Sequence, residues 1–318
     1  MVFEVKANKI REKIKSYTQE SLVSYFIRYL HYKPDDGNVA ERRPWTAFLA
    51  LEWALELTQY SNAKTVSDKQ AHQILESIWN IQSDASDITN NKNFRIVLRK
   101  MIIPQLRFQI HPIQHLFFLF RFYSMLMQPS SSSAPKDDFK KITGIDFERF
   151  LLFSALLHLL FTWNESPVIK YQELVEYMCP FFNFDELKVL LNLVGGNIYE
   201  IESLIKQHRS ATRTIRRDEY FEEPFFIRKP VLIIPDGITT PHSTVLSIGI
   251  TEFILRILKQ ADPSRFKDKF TSSFEKYLEQ LLIEFKYTFL TEAEIKDIYK
   301  VNKVSGRVVD FLVTEECN

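Results

Sequence analysis

A single carboxylate stands inside an apolar run near the end of the chain. The stretch "GRVVDFLVTEECN" passes from Gly306 into a predicted β-strand, Val308 to Val313, that contains Asp310. Upstream, "SSFEKYLEQLL" predicts an amphipathic helix that carries further carboxylates. Carboxylate oxygens are ligands that Mg²⁺ accepts readily, so a metal site is one interpretation of Asp310. A strand-edge residue that faces water is the other.

This order of helix, spacer, glycine turn and aspartate-bearing strand resembles the start of a PD-(D/E)xK nuclease core, of the restriction-endonuclease-like type. In that family an acidic helix residue precedes a β-hairpin that supplies an aspartate, and the next strand supplies (D/E)-x-K. The resemblance implies that Glu275 is the helix acid, Glu279 its alternate one turn on, and Asp310 the metal-binding aspartate. It implies that Asp310 and Glu275 are catalytic and that Mg²⁺ or Mn²⁺ is the cofactor of the complete enzyme. The alternative for Glu275 is a solvated helix face.

The resemblance covers about 215–318, and only 274–318 bears the chemistry. The segment "TEAEIK", with Glu292 and Glu294, resembles the charged segment often seen before the family's hairpin. The region around "EPFFIRKPVLIIPDG" looks like the part that precedes the core in some large bacterial nucleases with helical N-terminal halves, several of which serve in phage defence. The resemblance therefore implies a defence endonuclease that cleaves nucleic acid, DNA in preference to RNA, with the helical region sensing or gating.

One part of the family pattern is missing. No (D/E)-x-K strand follows Asp310 before the sequence ends at Asn318. We therefore expect the 318-residue chain alone to be inactive, as a fragment or subunit of a longer nuclease. The alternative is a non-catalytic pseudo-nuclease that serves as a scaffold for a partner protein. Because an unpaired strand at 308–313 would be prone to aggregation, we expect it to pair with itself, to pair with a partner subunit, or to be covered.

Basic residues cluster just before the segment that resembles the nuclease. The run "KQHRSATRTIRR" contains the candidate nucleic-acid-binding residues Arg209, Arg213, Arg216 and Arg217, which could neutralise phosphates. The alternative is a solvated helix end and loop, balanced by the acids that follow. In "RRPWTAF", Trp45 could stack on a base or pack into the core as a tryptophan at a helix start.

His111 and His115 stand four residues apart, a spacing that can place two metal ligands on one helix face. Pro112 lies between them, the surrounding residues are apolar, and no third ligand is nearby in the sequence. We therefore expect buried, hydrogen-bonded histidines.

The composition excludes several classes of protein. Of the 318 residues, 27 are phenylalanine and 7 are glycine, which favours helices with thick cores over glycine-rich nucleotide loops. A net charge of +1 indicates no partner by itself. The two cysteines, Cys179 and Cys317, stand in unrelated contexts, so we expect no zinc framework or disulfide and a cytoplasmic location. The apolar run Ile110 to Met127 contains polar residues and predicts a buried helix.

The elements that would position the candidate residues are mostly helices. Apolar spacing predicts a helical domain over 1–211, with an exposed loop at 128–138. Prolines in 212–245 predict an extended connector with one short strand, Pro230 to Ile234. Residues 246–318 would be the truncated start of the nuclease core. The expected fold is therefore mainly α, with a helix plus β-hairpin that begins an α/β core.

Overall fold

Helices make up most of the chain in the computed structural model, which describes residues 2–31, 43–86, 108, 112–128, 135–164, 166–212, 218–301 and 309–314. Within these ranges the fold is mainly α with a small mixed sheet and a separate strand pair, as the sequence predicted. The chain divides into two compact units, Met1–Phe117 with Leu152–Phe253 and Phe118–Leu151 with Ile254–Asn318.

The helix α3 is central to the first unit. The first five helices are α1 (Val2–Lys15), α2 (Gln19–His31), α3 (Pro44–Glu56), α4 (Asp68–Asn80) and α5 (Gln82–Ser86). Pro44 opens α3 at a position where its missing N–H costs no hydrogen bond. Because α3 is apolar around almost its whole circumference, side chains such as Phe48 and Trp53 are fully buried between α1, α2 and α4. Ser67 caps α4 in a capping box with Gln70.

Seven more helices follow: α6 (Pro112–Leu126), α7 (Pro135–Thr143), α8 (Phe147–Trp163), α9 (Tyr171–Met178), α10 (Phe184–Val194), α11 (Ile198–Thr212) and α12 (Ser243–Ala261). The start of α7 corrects the predicted loop at 128–138, because 135–138 form its first turn. Pro135 suits the first position of a helix, and Asp137 and Asp138 place negative charge at its N-terminus. Among the helices in the described ranges, none is both long enough and apolar enough to cross a membrane.

Four short strands of the first unit form a mixed sheet in the order β1-β4-β3-β2. They are β1 (Val168–Lys170), β2 (Gly195–Asn197), β3 (Val231–Ile234) and β4 (Gly237–Thr239). β2 runs parallel to β3, and the other neighbours are antiparallel. The predicted connector is thus partly a hairpin at the centre of a sheet, since its apolar residues 231–234 pair on both sides.

The second unit ends in a helix and an antiparallel strand pair. Its last elements are α13 (Phe266–Glu284), β5 (Phe289–Thr291), α14 (Glu292–Val301) and β6 (Phe311–Val313). β5 pairs with β6, with Leu290 opposite Leu312. The expected helix and two strands are present, but α14 lies between the strands, and Asp310 lies immediately before β6 instead of inside it. That this arrangement begins a nuclease core stays a prediction.

The two units divide the chain differently from the expected boundaries at 211 and 245. Residues 118–151, expected in the helical domain, cluster with 254–318, and the expected connector belongs to the first unit. Within the second unit, Lys269 of α13 lies 2.7 Å from Asp138 of α7 and 3.1 Å from Asp262. This half-buried ion triad joins helices that are distant in sequence, which local patterns do not reveal.

Candidate metal site

Three elements of the second unit bring carboxylates together. Glu275 lies on α13, Glu292 opens α14, and Asp310 precedes β6. The amide N–H of Glu292 donates to the carbonyl oxygen of Asp310 at 2.9 Å, which ties the start of α14 to the residue before β6. Phe289 and Phe311 meet edge to face on the strand pair, with ring centroids 5.8 Å apart. The backbone of Asp310 is therefore fixed beside α14.

Asp310 and Glu292 both act electrostatically on Glu275. Burial raises the pKa of Glu275 above its ordinary value, and the negative charges of Asp310 and then Glu292 raise it further. Asp310 is exposed, while Glu275 and Glu292 are partly exposed, so solvent reaches the group. A divalent cation would remove the repulsion that raises this pKa.

Two further acids stand close to this set in the sequence. Glu294 accepts hydrogen bonds from the Thr291 N–H at 2.7 Å and from the Thr291 hydroxyl at 2.8 Å, and these bonds lower the pKa of Glu294. It therefore stabilises the start of α14. Glu279 is one turn beyond Glu275 on α13. Its role as the alternate ligand stays a prediction.

Glu292 has a cationic neighbour on its own helix. The Lys296 ammonium lies 2.5 Å from a Glu292 oxygen, and both side chains are about half exposed. An exposed pair of this kind contributes little free energy, so it can be exchanged for a metal ion at small cost. Lys296 is a lysine held beside the carboxylates, although it does not stand in a (D/E)-x-K strand.

The donor set fits Mg²⁺ or Mn²⁺ better than a metal that needs a closed cage. Across the described ranges, no three His, Cys, Asp or Glu side chains are grouped closely enough to hold a metal ion by themselves. Mg²⁺ keeps several waters and is usually held by one or two carboxylates together with substrate phosphates. Glu275 and Asp310, with Glu292 beside them, can supply those one or two ligands.

The structure places Arg209 in the interior of the first unit. Its guanidinium lies 2.8 Å from Glu52 and 3.4 Å from Glu56, and it also contacts Glu219. Arg11 joins the same cluster at 3.0 Å from Glu56 and 3.5 Å from Glu219. Because the side chain of Arg209 is only 9% exposed, its charge is paired with carboxylates inside the protein and does not face solvent. This burial corrects the prediction that Arg209 contacts nucleic acid.

Two further hydrogen bonds support this ion cluster. The Trp53 indole N–H donates to Glu219 at 2.8 Å, and the Phe225 N–H donates to Glu52 at 2.6 Å. Burial raises the pKa of Glu52, although the Arg209 charge opposes that effect. Arg213, Arg216 and Arg217 lie outside the described residues, so their contact with nucleic acid stays a prediction.

His115 is buried and hydrogen-bonded, as expected. Its Nε2 lies 3.1 Å from the Thr244 hydroxyl, and its ring meets His158 edge to face with centroids 6.4 Å apart. Thr244 also donates its N–H to Nδ1 of His242 at 3.1 Å, and the charges of His31 and His115 act on His242. Burial lowers the pKa of His115 to about 4 and that of His242 to about 3. His111, the other histidine of the sequence pair, lies outside the described residues.

Comparison with known proteins adds no assignment. No protein-family model, no curated protein and no solved structure matches this chain.

Sequence reasoning missed two features of these sites. Glu292 was seen only as part of a charged segment, although "TEAE" is a capping-box pattern that places Glu292 in the first turn of a helix. The acidic partners of Arg209 come from α3 and from the turn at Asp218–Tyr220. Nothing in the local sequence around Arg209 indicates them.

Proposed function

We propose that Glu275 and Asp310, with Glu292 beside them, supply the one or two carboxylate ligands of a Mg²⁺- or Mn²⁺-dependent endonuclease of the PD-(D/E)xK type. The observation that carries the proposal is the 2.9 Å hydrogen bond from the Glu292 N–H to the Asp310 carbonyl oxygen, together with the effect of both acids on the pKa of Glu275. This effect links Asp310 to Glu275, the two acids that the sequence resemblance selects independently. The chain would be a part or subunit of an enzyme that cleaves nucleic-acid phosphodiesters in phage defence, with DNA favoured over RNA, and the first unit would sense or gate.

Each carboxylate has a distinct part in this proposal. Asp310 is exposed and would present its oxygens to a hydrated cation, while Glu275, held on a long helix, would fix the position of that cation. The bound cation would supply an activated water and neutralise charge at the scissile phosphate. Without a cation, the three carboxylates repel the phosphate backbone. Nucleic-acid binding at this site should therefore require the divalent cation.

Metal binding by the purified chain tests the proposal. In a titration with Mn²⁺ followed by electron paramagnetic resonance, we expect one specific site, weakened about tenfold or more by Asp310→Asn or Glu275→Gln. The matched control is Asp297→Asn, which removes the same charge from α14 at a carboxylate that pairs with Lys300 at 3.1 Å. Equal Mn²⁺ affinity in the wild type and in Asp310→Asn would show that Asp310 does not bind the metal, and would contradict the proposed site.

Cleavage gives a second readout. Supercoiled plasmid and single-stranded RNA would be incubated with Mg²⁺, with and without a chelator, using the wild type and Asp310→Ala in their full natural chain. We expect nicking that depends on the metal and is lost in Asp310→Ala. Equal nicking by both proteins would show that Asp310 is not a ligand.

A scaffold that binds a partner protein is the second candidate. It is favoured by exposed apolar side chains around the same elements, namely Ile283, Phe285 and Leu312, because apolar surface of this kind often marks a protein interface. Sedimentation of the wild type and of Leu312→Asp tests this reading for self-association. The scaffold gains support if Leu312→Asp lowers the assembled mass while the wild type binds no Mn²⁺.

We further propose that the protein works in a reducing cytoplasm. The chain has two cysteines, and Cys179 is an exposed free thiol. A protein exported to an oxidising compartment would expose such a thiol to oxidation. Fractionation of the producing cells would test this location, and recovery with secreted proteins would contradict it.

A further inference from the structure

A second site candidate lies in the first unit, around the residue that precedes α3. The Arg43 cluster consists of Arg43, Trp45, Glu76 and Trp79, and the Tyr220 hydroxyl lies within electrostatic range of Arg43. The Arg43 guanidinium lies over the Trp79 ring, 4.0 Å from its centroid, and the Trp45 ring centroid is 6.2 Å from that of Trp79. Arg43 itself has a left-handed backbone, with φ of 49°, immediately before a proline. Non-glycine residues rarely adopt this conformation, and where they do it is often at a functional site.

Two buried hydrogen-bond donors in and around this cluster have no partner among the described residues. They are the indole N–H of Trp45 and the hydroxyl of Tyr220. Tyr220 is only 7% exposed. Burial raises the pKa of the Tyr220 hydroxyl, and the Arg43 charge opposes that rise. Buried polar groups in native proteins are almost always hydrogen-bonded. A missing ligand explains both orphaned donors at once.

The chemistry of the cluster selects the class of ligand. An indole nitrogen can only donate, a guanidinium can only donate, and the tyrosine hydroxyl has its proton to give. A ligand that satisfies them must offer several acceptor atoms and negative charge, which is the description of an oxyanion. The Arg43 side chain is 30% exposed, so a ligand can reach it from solvent.

Glu76 now occupies the place of such an anion. Its carboxylate lies 3.3 Å from Arg43, and its side chain is 46% exposed. Exposed ion pairs of this kind are weak and exchange readily. An incoming oxyanion would therefore compete with Glu76 for Arg43.

We propose that the Arg43 cluster binds a small oxyanion, a phosphate or carboxylate group, which displaces Glu76 from Arg43 and accepts hydrogen bonds from Trp45 and Tyr220. The site belongs to the first unit and does not depend on the proposed nuclease function. It gives the start of α3 a role in ligand binding, where the sequence suggested only base stacking or core packing for Trp45.

Titration calorimetry of the whole chain with inorganic phosphate and, separately, with acetate tests the site and distinguishes the two sources of the oxyanion. We expect saturable binding of one of them. Tyr220→Phe should weaken that binding about tenfold, the loss expected for one hydrogen bond to a charged group, while Glu76→Gln should strengthen it. The opposite signs separate a specific site from general attraction to positive charge.

Thermal unfolding of the same variants separates ligand binding from a structural role. If the Tyr220 hydroxyl is unpartnered, Tyr220→Phe leaves the melting temperature of the free protein unchanged or raises it. The matched control is Tyr171→Phe, whose hydroxyl already donates to the Ile234 carbonyl oxygen at 2.7 Å, and which should leave anion binding unchanged. Failure of the wild type to bind either anion, or equal binding by Tyr220→Phe, would overturn the proposal.

Discussion

The guanidinium of Arg209 lies 2.8 Å from a carboxylate oxygen of Glu52, and the two side chains are 9% and 10% exposed. This pair joins α11 to α3 inside a cluster in which three carboxylates face two guanidiniums. Charges taken out of water are tolerated only when they are paired and hydrogen-bonded. The backbone N–H of Phe225 and the indole N–H of Trp53 donate further hydrogen bonds to Glu52 and Glu219.

Removal of Arg209 should destabilise the protein strongly. Arg209→Met leaves its three buried carboxylates with Arg11 as their remaining guanidinium, and breaking a buried pair in this way costs about 3–5 kcal/mol. Urea denaturation measures the free energy of unfolding. The control is Arg28→Met, because Arg28 pairs with Asp68 at 3.3 Å on the surface, where the cost should be about 1 kcal/mol or less. Equal losses in the two variants would contradict the buried cluster.

The buried histidines should make the protein sensitive to acid. The pKa of His115 is about 4 and that of His242 is about 3 in the folded state, below the value of about 6.5 for an unfolded histidine. The unfolded chain therefore binds more protons as the pH falls. The contribution of these histidines to stability is complete above about pH 6.5 and is lost as the pH falls toward the folded pKa values.

Urea denaturation at a series of pH values checks this expectation. The free energy of unfolding of the wild type should fall between pH 6.5 and pH 4, and His115→Gln should show a shallower fall over the same window. His72→Gln is the matched control, because His72 is exposed on α4. A pH dependence of the same slope in wild type and His115→Gln would contradict the assigned burial.

Gly237 should tolerate no side chain. An added Cβ would lie 2.0 Å from the Ile169 carbonyl oxygen, inside the β1–β4 pair. Because backbone atoms must move to make room, we expect Gly237→Ala to cost about 2–4 kcal/mol. Gly144→Ala is the control: Gly144 has a φ of +73° but open space around it, so only the backbone strain of about 1–2 kcal/mol remains. A milder effect at Gly237 than at Gly144 would show that the β1–β4 register is different.

Substitution of Glu292 should affect Mn²⁺ binding, whereas substitution of Glu294 should affect stability. Glu294→Ala removes the cap on Thr291 and should lower the stability of the protein by about 1 kcal/mol, while Mn²⁺ binding is retained. Glu292→Gln should weaken Mn²⁺ binding and leave the melting temperature nearly unchanged. Paired measurement of melting temperature and Mn²⁺ affinity checks both. Loss of Mn²⁺ binding in Glu294→Ala, but not in Glu292→Gln, would show that Glu294 and not Glu292 contributes to the metal site.

The sequence predicted the helices and helix starts that depend on residues close together in the chain. Apolar spacing indicated the helices of the N-terminal region, and "RRPWTAF" suggested the helix start that α3 confirms at Pro44. The strand β1, three residues long, was missed because a run this short carries no periodic signal. The predicted loop at 128–138 was wrong over 135–138. The serine-rich residues before Pro135 indicated a loop and gave no sign of the helix that starts there.

The candidate site was predictable only in part. Glu275 and Asp310 could be named from their resemblance to a family pattern, whereas the approach of Glu292 depends on the β5–β6 pairing and the cap at Thr291. Arg209 was assigned to the surface because a basic run indicates charge and not burial. Its partners, such as Glu52 of α3, are far away in the sequence, and only the packing of α11 on α3 brings them together.

If Glu275 and Asp310 share one divalent cation, the cation must change the pKa of the Glu275 carboxyl group, which carbon-13 NMR measures with and without Mg²⁺. In the free wild type we expect this pKa above its ordinary value, since Asp310 and Glu292 raise it. Mg²⁺ should bring it down. In Asp310→Asn the pKa should begin closer to its ordinary value, and Mg²⁺ should move it much less. A Glu275 pKa that Mg²⁺ leaves unchanged in the wild type would contradict the shared site.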